Sequence, residues 1–326
     1  MPGSSAYAAQ NELNWATGDA APPAVTTRYV GLLTTAPNDA GAGGVEVSYP
    51  GYARVALGPT AATSASPSTA DNSATLTFAT GANVAPPAAP TLTANSTGGS
   101  LPSETVYVKL TYVSAGGETT PSAEASVAVT GSTGQAVVTS PAASTGATGY
   151  NVYAANATGA EVKQNTSPIA IGTNYDINSL ATGTASPPAT NTASGGTVVA
   201  LAVFDAATAG NLITWGWLGN NAAFAFTGTA ASPGVMTAPG LTAGSSPTLI
   251  DGATVAFTAK NTGSSLPGGI VAGTLYAVSG LASDSFNVGV NTTSAGGGVV
   301  QQVVPVTISL NVQPSFAAGA LVLAQG

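Results

Sequence analysis

Glycine and proline interrupt this chain so often that long regular elements have no room: there are 41 glycines and 22 prolines in 326 residues. Inside a helix each glycine costs roughly 1 kcal/mol and each proline roughly 3 kcal/mol relative to alanine. Between the breaks lie short runs of Val, Leu, Ile, Thr and Tyr, residues that suit a pleated, half-buried surface. One segment escapes this pattern. Residues 6–17, rich in Ala with Gln, Glu and Leu, predict a single short helix that Gly18 stops. Everything after it reads as strand and turn, so the expected class is all-β.

The strands can be followed along the chain. Arg28-Tyr29-Val30-Gly31-Leu32-Leu33 forms one that ends at the Pro37-Asn38-Asp39 turn. Residues 45–47 and 52–57 follow around a Pro50-Gly51 corner, and 74–78 alternates with Leu76 and Phe78 on one face. At Val84-Ala85-Pro86-Pro87-Ala88-Ala89-Pro90 the texture changes to a stiff proline-rich linker, and Ser186-Pro187-Pro188-Ala189 is a second one. Between them, strands at 105–113, 125–130, 136–139, 149–154 and 173–177 recur about every ten residues, the rhythm of a β-sandwich. Strands at 197–204 and 212–218 come next. A β-rich block over 224–300 then holds strands at 253–259, 274–279 and 285–290, and the last strands are 303–311 and 320–323. No repeat with fixed anchors appears, which argues against a solenoid.

The residue inventory narrows function. The chain has no histidine and no cysteine, with 13 acidic against 5 basic side chains, a net charge of −8 and a charged fraction of 6%. Ser-His-Asp and Cys-His nucleophile machinery, thiol redox chemistry and ordinary zinc sites are therefore excluded. The absence of a Lys/Arg cluster speaks against nucleic acid and against a polybasic hold on membranes. The start lacks a basic n-region and an apolar h-region, so no secretory signal is expected, and no apolar run reaches the length of a spanning helix. Sequons at Asn95, Asn156, Asn165 and Asn291 are read as chance in a Thr/Ser-rich chain. Hydrophobic residues make up 44% but aromatics only 6%. Cores built mostly of Ala and Val bury little area, so the modules should be small or lean on neighbours. With a mean hydropathy of +0.29, the surface should find partners.

Candidate sites are few. Asp39, Asp205 and Asp251 sit in turns, where an Asp side chain caps backbone N–H groups, so a paired-carboxylate glycosidase is not the expected reading. Gly296-Gly297-Gly298 is a turn without the lysine or helix start of a phosphate cradle. No calcium loop, Walker loop or nucleophile elbow occurs, and no metal or cofactor is expected. Tyr107, Tyr112, Tyr150 and Tyr153 read as sandwich core and rim. Trp215 and Trp217, two apart on a strand, share a face and are expected in the core or at a subunit interface. Arg28 and Arg54 each lie in a predicted strand. Each is expected either to be solvated or to pair with a carboxylate such as Glu46 or one on a partner chain. Trp215, Trp217, Arg28 and Arg54 are the candidate residues for an interface, with another copy of the chain or with a partner protein.

A resemblance joins scattered pieces. Tyr29-Val30-Gly31-Leu32-Leu33-Thr34-Thr35-Ala36-Pro37-Asn38-Asp39-Ala40-Gly41 and Gly51-Tyr52-Ala53-Arg54-Val55, with Phe204-Asp205-Ala206-Ala207-Thr208 and Pro314-Ser315-Phe316-Ala317-Ala318-Gly319, resemble small tailed-bacteriophage virion proteins. The resemblance implies a base β-sandwich, residues 1–83, 193–219 and 303–326, interrupted by two inserted β-sandwich-like modules. The first, 84–192, is similar to immunoglobulin/fibronectin-type modules through Thr111-Tyr112-Val113 and Gly149-Tyr150-Asn151-Val152-Tyr153. The second is 220–302. The function implied is a non-enzymatic capsid decoration or head-fibre protein on the virion exterior, bound to the major capsid protein. The alternative is a tail-fibre or adhesin component recognising host-surface glycan. Capsid symmetry and weakly protected sheet edges add the expectation of a homotrimer, with Trp215 or Trp217 in its interface.

Overall fold

The computed structural model describes residues 5–19, 27–38, 41–58, 60–62, 68–219, 223–239, 241, 249–259 and 265–325. Among the described residues the one helix is Ala6–Thr17. The Ser5 side chain accepts from the Ala8 N–H at the start, and Gly18 closes it in the left-handed region at φ 74°. The rest is β-structure, as the glycine and proline spacing demands.

At the centre of the base lies the strand Arg28–Thr35. Ala200–Phe204 pairs antiparallel on one side, with Tyr29 opposite Phe204 and Leu33 opposite Ala200. Val45–Glu46 and Val55–Leu57 pair on the other side, and Leu212–Trp217 extends the sheet beyond Ala200–Phe204. The run Val30–Leu33 is buried on both faces, so the sheet is covered twice. Val30 and Leu32 face a core with Val47, Tyr49, Leu76, Phe78, Val203 and Ile308. Leu33 faces the other way, towards Trp215 and Trp217. The C-terminal part returns to the base: Val306–Ile308 pairs with Gly196–Val198, Ser315–Phe316 with Leu76–Thr77, and Val322–Gln325 with Ser68–Asn72.

Residues 84–193 form two facing sheets. One consists of Glu104–Ser114, Ala125–Val129, Gly149–Ala155, Val162–Lys163 and Gly117–Glu118; the other of Leu92–Asn95, Gln135–Val138 and Tyr175–Ile177. Val106, Val108, Leu110, Tyr150, Val152 and Ile177 fill the space between, together with Val84 and Ala193 at the two ends of the segment. The second proline-rich stretch is a strap, not a free linker. Its ends are held by hydrogen bonds from Lys163 N to Ala185 O and from Thr192 N to Glu118 O, at opposite edges of the five-stranded sheet.

The strands within 223–303, the segment expected as the second module, form one sheet of barrel-like curvature. Its seven strands run in the order Leu275–Ala277, Thr254–Thr258, Gly296–Val303, Ala223–Gly228, Met236–Thr237, Ser285–Asn287 and Ser279–Ala282. The first and last of these are separated in sequence by Val278 alone, so the sheet must curl until its two ends meet. Phe257 sits inside with Phe226 at 5.0 Å and Phe286 at 6.3 Å between ring centres.

Candidate functional site

The densest polar site of the base is built by Glu46, Tyr52 and Arg54. Glu46 ends the short strand beside Leu33, and Tyr52 and Arg54 lie just before the strand Val55–Leu57. The Glu46 carboxylate accepts from Arg54 Nε at 3.0 and 3.1 Å and from Nη2 at 2.8 Å, a two-pronged ion pair. It also accepts from the Tyr52 hydroxyl at 2.7 Å, and that hydroxyl in turn accepts from the Leu32 N–H at 2.9 Å. Burial first, and the Glu46 carboxylate second, push the Tyr52 phenol far above its ordinary range. Arg54 Nη1 reaches across the base to the carbonyls of Ala206, at 2.9 Å, and Ala209, at 2.6 Å, while its guanidinium carbon lies 3.4 Å from the Phe204 ring centre. Gly31 makes room for this. A Cβ there would meet Glu46 Oε1 at 2.7 Å and Phe204 at 2.9 Å.

An aromatic line continues from the same place. Tyr52 stacks on Phe78 at 6.2 Å with 5° between planes, and Phe78 meets Phe316 edge-on at 6.2 Å. The Gly-Tyr-Ala-Arg and Phe-Asp-Ala-Ala pieces therefore touch in space, and Phe78 links them to the Pro-Ser-Phe piece.

The other candidates fall into separate places. Arg54 pairs with Glu46 within the chain, whereas Arg28 is exposed and makes no ion pair with a described residue. Trp215 and Trp217 do share a face, 5.4 Å apart and edge to face, but they are only 5% and 6% exposed. Of the two placements expected, core or subunit interface, the packing within this chain is the core one: they lie with Leu33, Val199, Ala256 and Val303. Asp205 caps its hairpin by accepting from Asn211 N at 2.6 Å and Asn211 Nδ2 at 2.9 Å, contacts that hold its carboxyl below the usual range. Asp251 accepts from Leu281 N at 3.0 Å. Asp39 lies outside the described residues.

The sequence alone did not reveal two polar clusters in the first module. Glu118 Oε1 accepts from the hydroxyls of Thr111 and Tyr153 and from Asn151 Nδ2, on the sheet face crossed by the strap. Nearby, Lys109 Nζ lies 2.9 Å from Glu161, whose side chain is 1% exposed, and 3.5 Å from Glu124. Contacts from Glu161 and then Thr158 hold the Glu124 carboxyl down at about 2. The one available signal was a lysine at an outward position of an alternating strand, which calls for a carboxylate on the neighbouring strands.

Each carboxylate of these clusters is held by hydrogen bonds or by a cation. Two surface hollows, of about 350 Å³ beside Pro86–Pro90 and about 520 Å³ beside Gly296–Gly298, have no charged residue in their lining among the described residues. Among the described residues no group of three or more acidic side chains is placed to hold a metal ion. The large exposed apolar side chains include Leu13 and Trp15 on the helix, and Val304, Val306, Leu310 and Val312 near the C-terminal end.

No curated protein and no solved structure matches the chain. Residues 3–101 match the family described as Podophage GP4 fiber I protein gp80, a stretch that contains the helix, the central base strand, Glu46, Tyr52 and Arg54. That similarity supports a bacteriophage fibre or virion protein.

Proposed function

We propose that this chain is a non-enzymatic structural component of a phage fibre on the outside of the virion, with the base as its attachment part and the first module displayed outward. The observation that carries the reading is the match of residues 3–101 to a podophage fibre family. The Arg54 clasp supports it by tying that matched stretch to residues 204–209, so the base is one unit assembled from distant pieces. A structural role also suits a chain with no histidine or cysteine whose clustered carboxylates already have partners. In this reading the base contacts the virion surface, whether at the head, against the major capsid protein, or at the tail. A homo-oligomer, with a trimer as the symmetric form, lets the exposed apolar side chains near Val304–Val312 find cover.

The test is immunogold labelling of intact particles with antibody raised against the first module. Surface label on undisturbed virions supports the proposal, and its position separates head from tail. Label that appears only after particles are disrupted, or none on purified virions, overturns it. Host-surface glycan recognition by the first module is the second activity to assay, by binding of the purified full chain to host polysaccharide.

A further inference from the structure

We infer that the first module is welded to the base, so that the two move as one stiff arm with no hinge between them. The inference is independent of where on a particle the protein sits. The two chains that cross the junction, at Asn83–Val84 and Asn191–Ser194, are laced together by side chains as well as backbone. Asn83 Nδ2 donates to Asn191 O at 2.9 Å, and Asn191 Nδ2 donates to Val84 O at 2.8 Å. Val84 N donates to Ala193 O at 2.9 Å, and Ala193 N donates to Asn191 Oδ1 at 3.0 Å. The only buried side-chain polar atom left without a partner among the described residues is Asn83 Oδ1.

Packing closes the junction from the sides. Val84 and Ala193 are fully buried in the core of the first module, so the crossing chains belong to that core and do not lead up to it as free tethers. A turn of the module is bound to the returning chain: Ser114 Oγ donates to Ser194 O at 2.9 Å, and Gly116 N donates to the same carbonyl at 3.1 Å. Thr192 N and Glu118 O are joined at 2.9 Å, with Glu118 N donating to Thr192 Oγ1 at 3.1 Å. A second loop rests directly on the base. A Cβ at Gly146 would lie 3.2 Å from Ser48 O and 3.4 Å from Tyr49 Cα, next to a tyrosine fully buried in the base core.

A hinge needs a few residues free to change φ and ψ, with few buried contacts and unpaired backbone groups. Here Val84 and Ala193 are buried, Asn83, Asn191 and Ser194 are half-buried, and the two crossing chains are hydrogen-bonded to one another and flanked by two seated loops. The proline-rich stretch 85–90 follows the weld and lies along the module, so it does not act as a swivel.

Backbone relaxation measured by NMR on the full chain tests this. Amides of Glu104–Ser114 and Gly149–Ala155 should report the same rotational diffusion as those of Arg28–Thr35 and Ala200–Phe204. A shorter correlation time for the module would overturn the inference. Hydrogen exchange then tests the asparagine lacing. In the Asn83→Ala, Asn191→Ala double variant, exchange at Val84 and Ala193 should rise roughly tenfold or more, as expected for the loss of two or more hydrogen bonds. Exchange at Val106 and Leu110 should remain as in the parent. Unchanged exchange at Val84 and Ala193 would mean that the lacing does not hold the junction.

Discussion

The guanidinium carbon of Arg54 lies over Phe204, 3.4 Å from the ring centre, while its nitrogens grip Glu46 on one side and the carbonyls of Ala206 and Ala209 on the other. A single side chain thus couples an early turn of the chain to a hairpin whose Ala206 lies 152 residues later in sequence. Cation–π contact, bidentate ion pair and backbone hydrogen bonds use different faces of the same planar group, a combination that lysine cannot reproduce.

Replacing Arg54 with Ala should therefore cost about 3 kcal/mol of base stability. That is the low end for breaking a buried pair, because the Glu46 side chain remains 26% exposed. Arg54→Lys should recover only part of the loss. Denaturant melts would measure both, and a loss below about 1 kcal/mol, the worth of an ordinary surface pair, would show that the clasp is not holding the base.

Alkaline pH should attack the same place. The Tyr52 phenol is raised above its ordinary value of 10.0, chiefly by burial, so its neutral form is favoured in the fold. The stabilisation is complete below pH 10 and is lost as pH climbs towards the folded-state value. Phenolate absorbance should show some tyrosines resisting titration until the protein unfolds. Tyr150, pushed up to about 12 by burial and then by Tyr175, should be among them. Tyr52→Phe should flatten the alkaline decline in melting temperature.

Acid should act on the first module instead. With Glu124 held down at about 2 by Glu161 and Thr158, its ionised form is favoured in the fold. Its contribution is present above the ordinary value of 4.5 and is lost as pH falls towards 2. Melting temperature recorded across that interval should drop, and Glu124→Gln should make the drop shallower. An identical acid profile in the variant would remove Glu124 as its source.

The packing of the tryptophan pair can be tested directly. Trp215→Ala or Trp217→Ala should each cost about 3–5 kcal/mol, as for large aromatics removed from a core. Both the base and the second module should lose stability, since Ala256 and Val303 line the same cluster. If either variant changed only the sedimentation coefficient and left the melt untouched, the pair would be acting between chains.

Local rules made much of this legible. Residues 6–17 had helix formers and a glycine stop, and the helix is Ala6–Thr17. The two-residue spacing of Trp215 and Trp217 put them on one face, and Glu46 was readable as one candidate partner for Arg54 because oppositely charged residues that few are drawn together. Contacts set by tertiary closure were not legible. Nothing local to Arg54 points to the carbonyls of Ala206 and Ala209. Glu118 looks like a solvated turn residue until strands at Thr111, Asn151 and Tyr153 arrive around it. Proline-rich stretches read as linkers because composition reports stiffness but not what the stiff segment lies against.

Val278 closes the second module, standing between the strands at the two ends of its seven-stranded path. In a row of strands the outermost two offer free N–H and C=O groups to any passing chain. Here the two outermost strands follow one another in the chain through Val278, so the row bends round until its ends lie side by side. That bend leaves less open edge for unplanned strand pairing, obtained without the lysines that edge strands elsewhere use to repel.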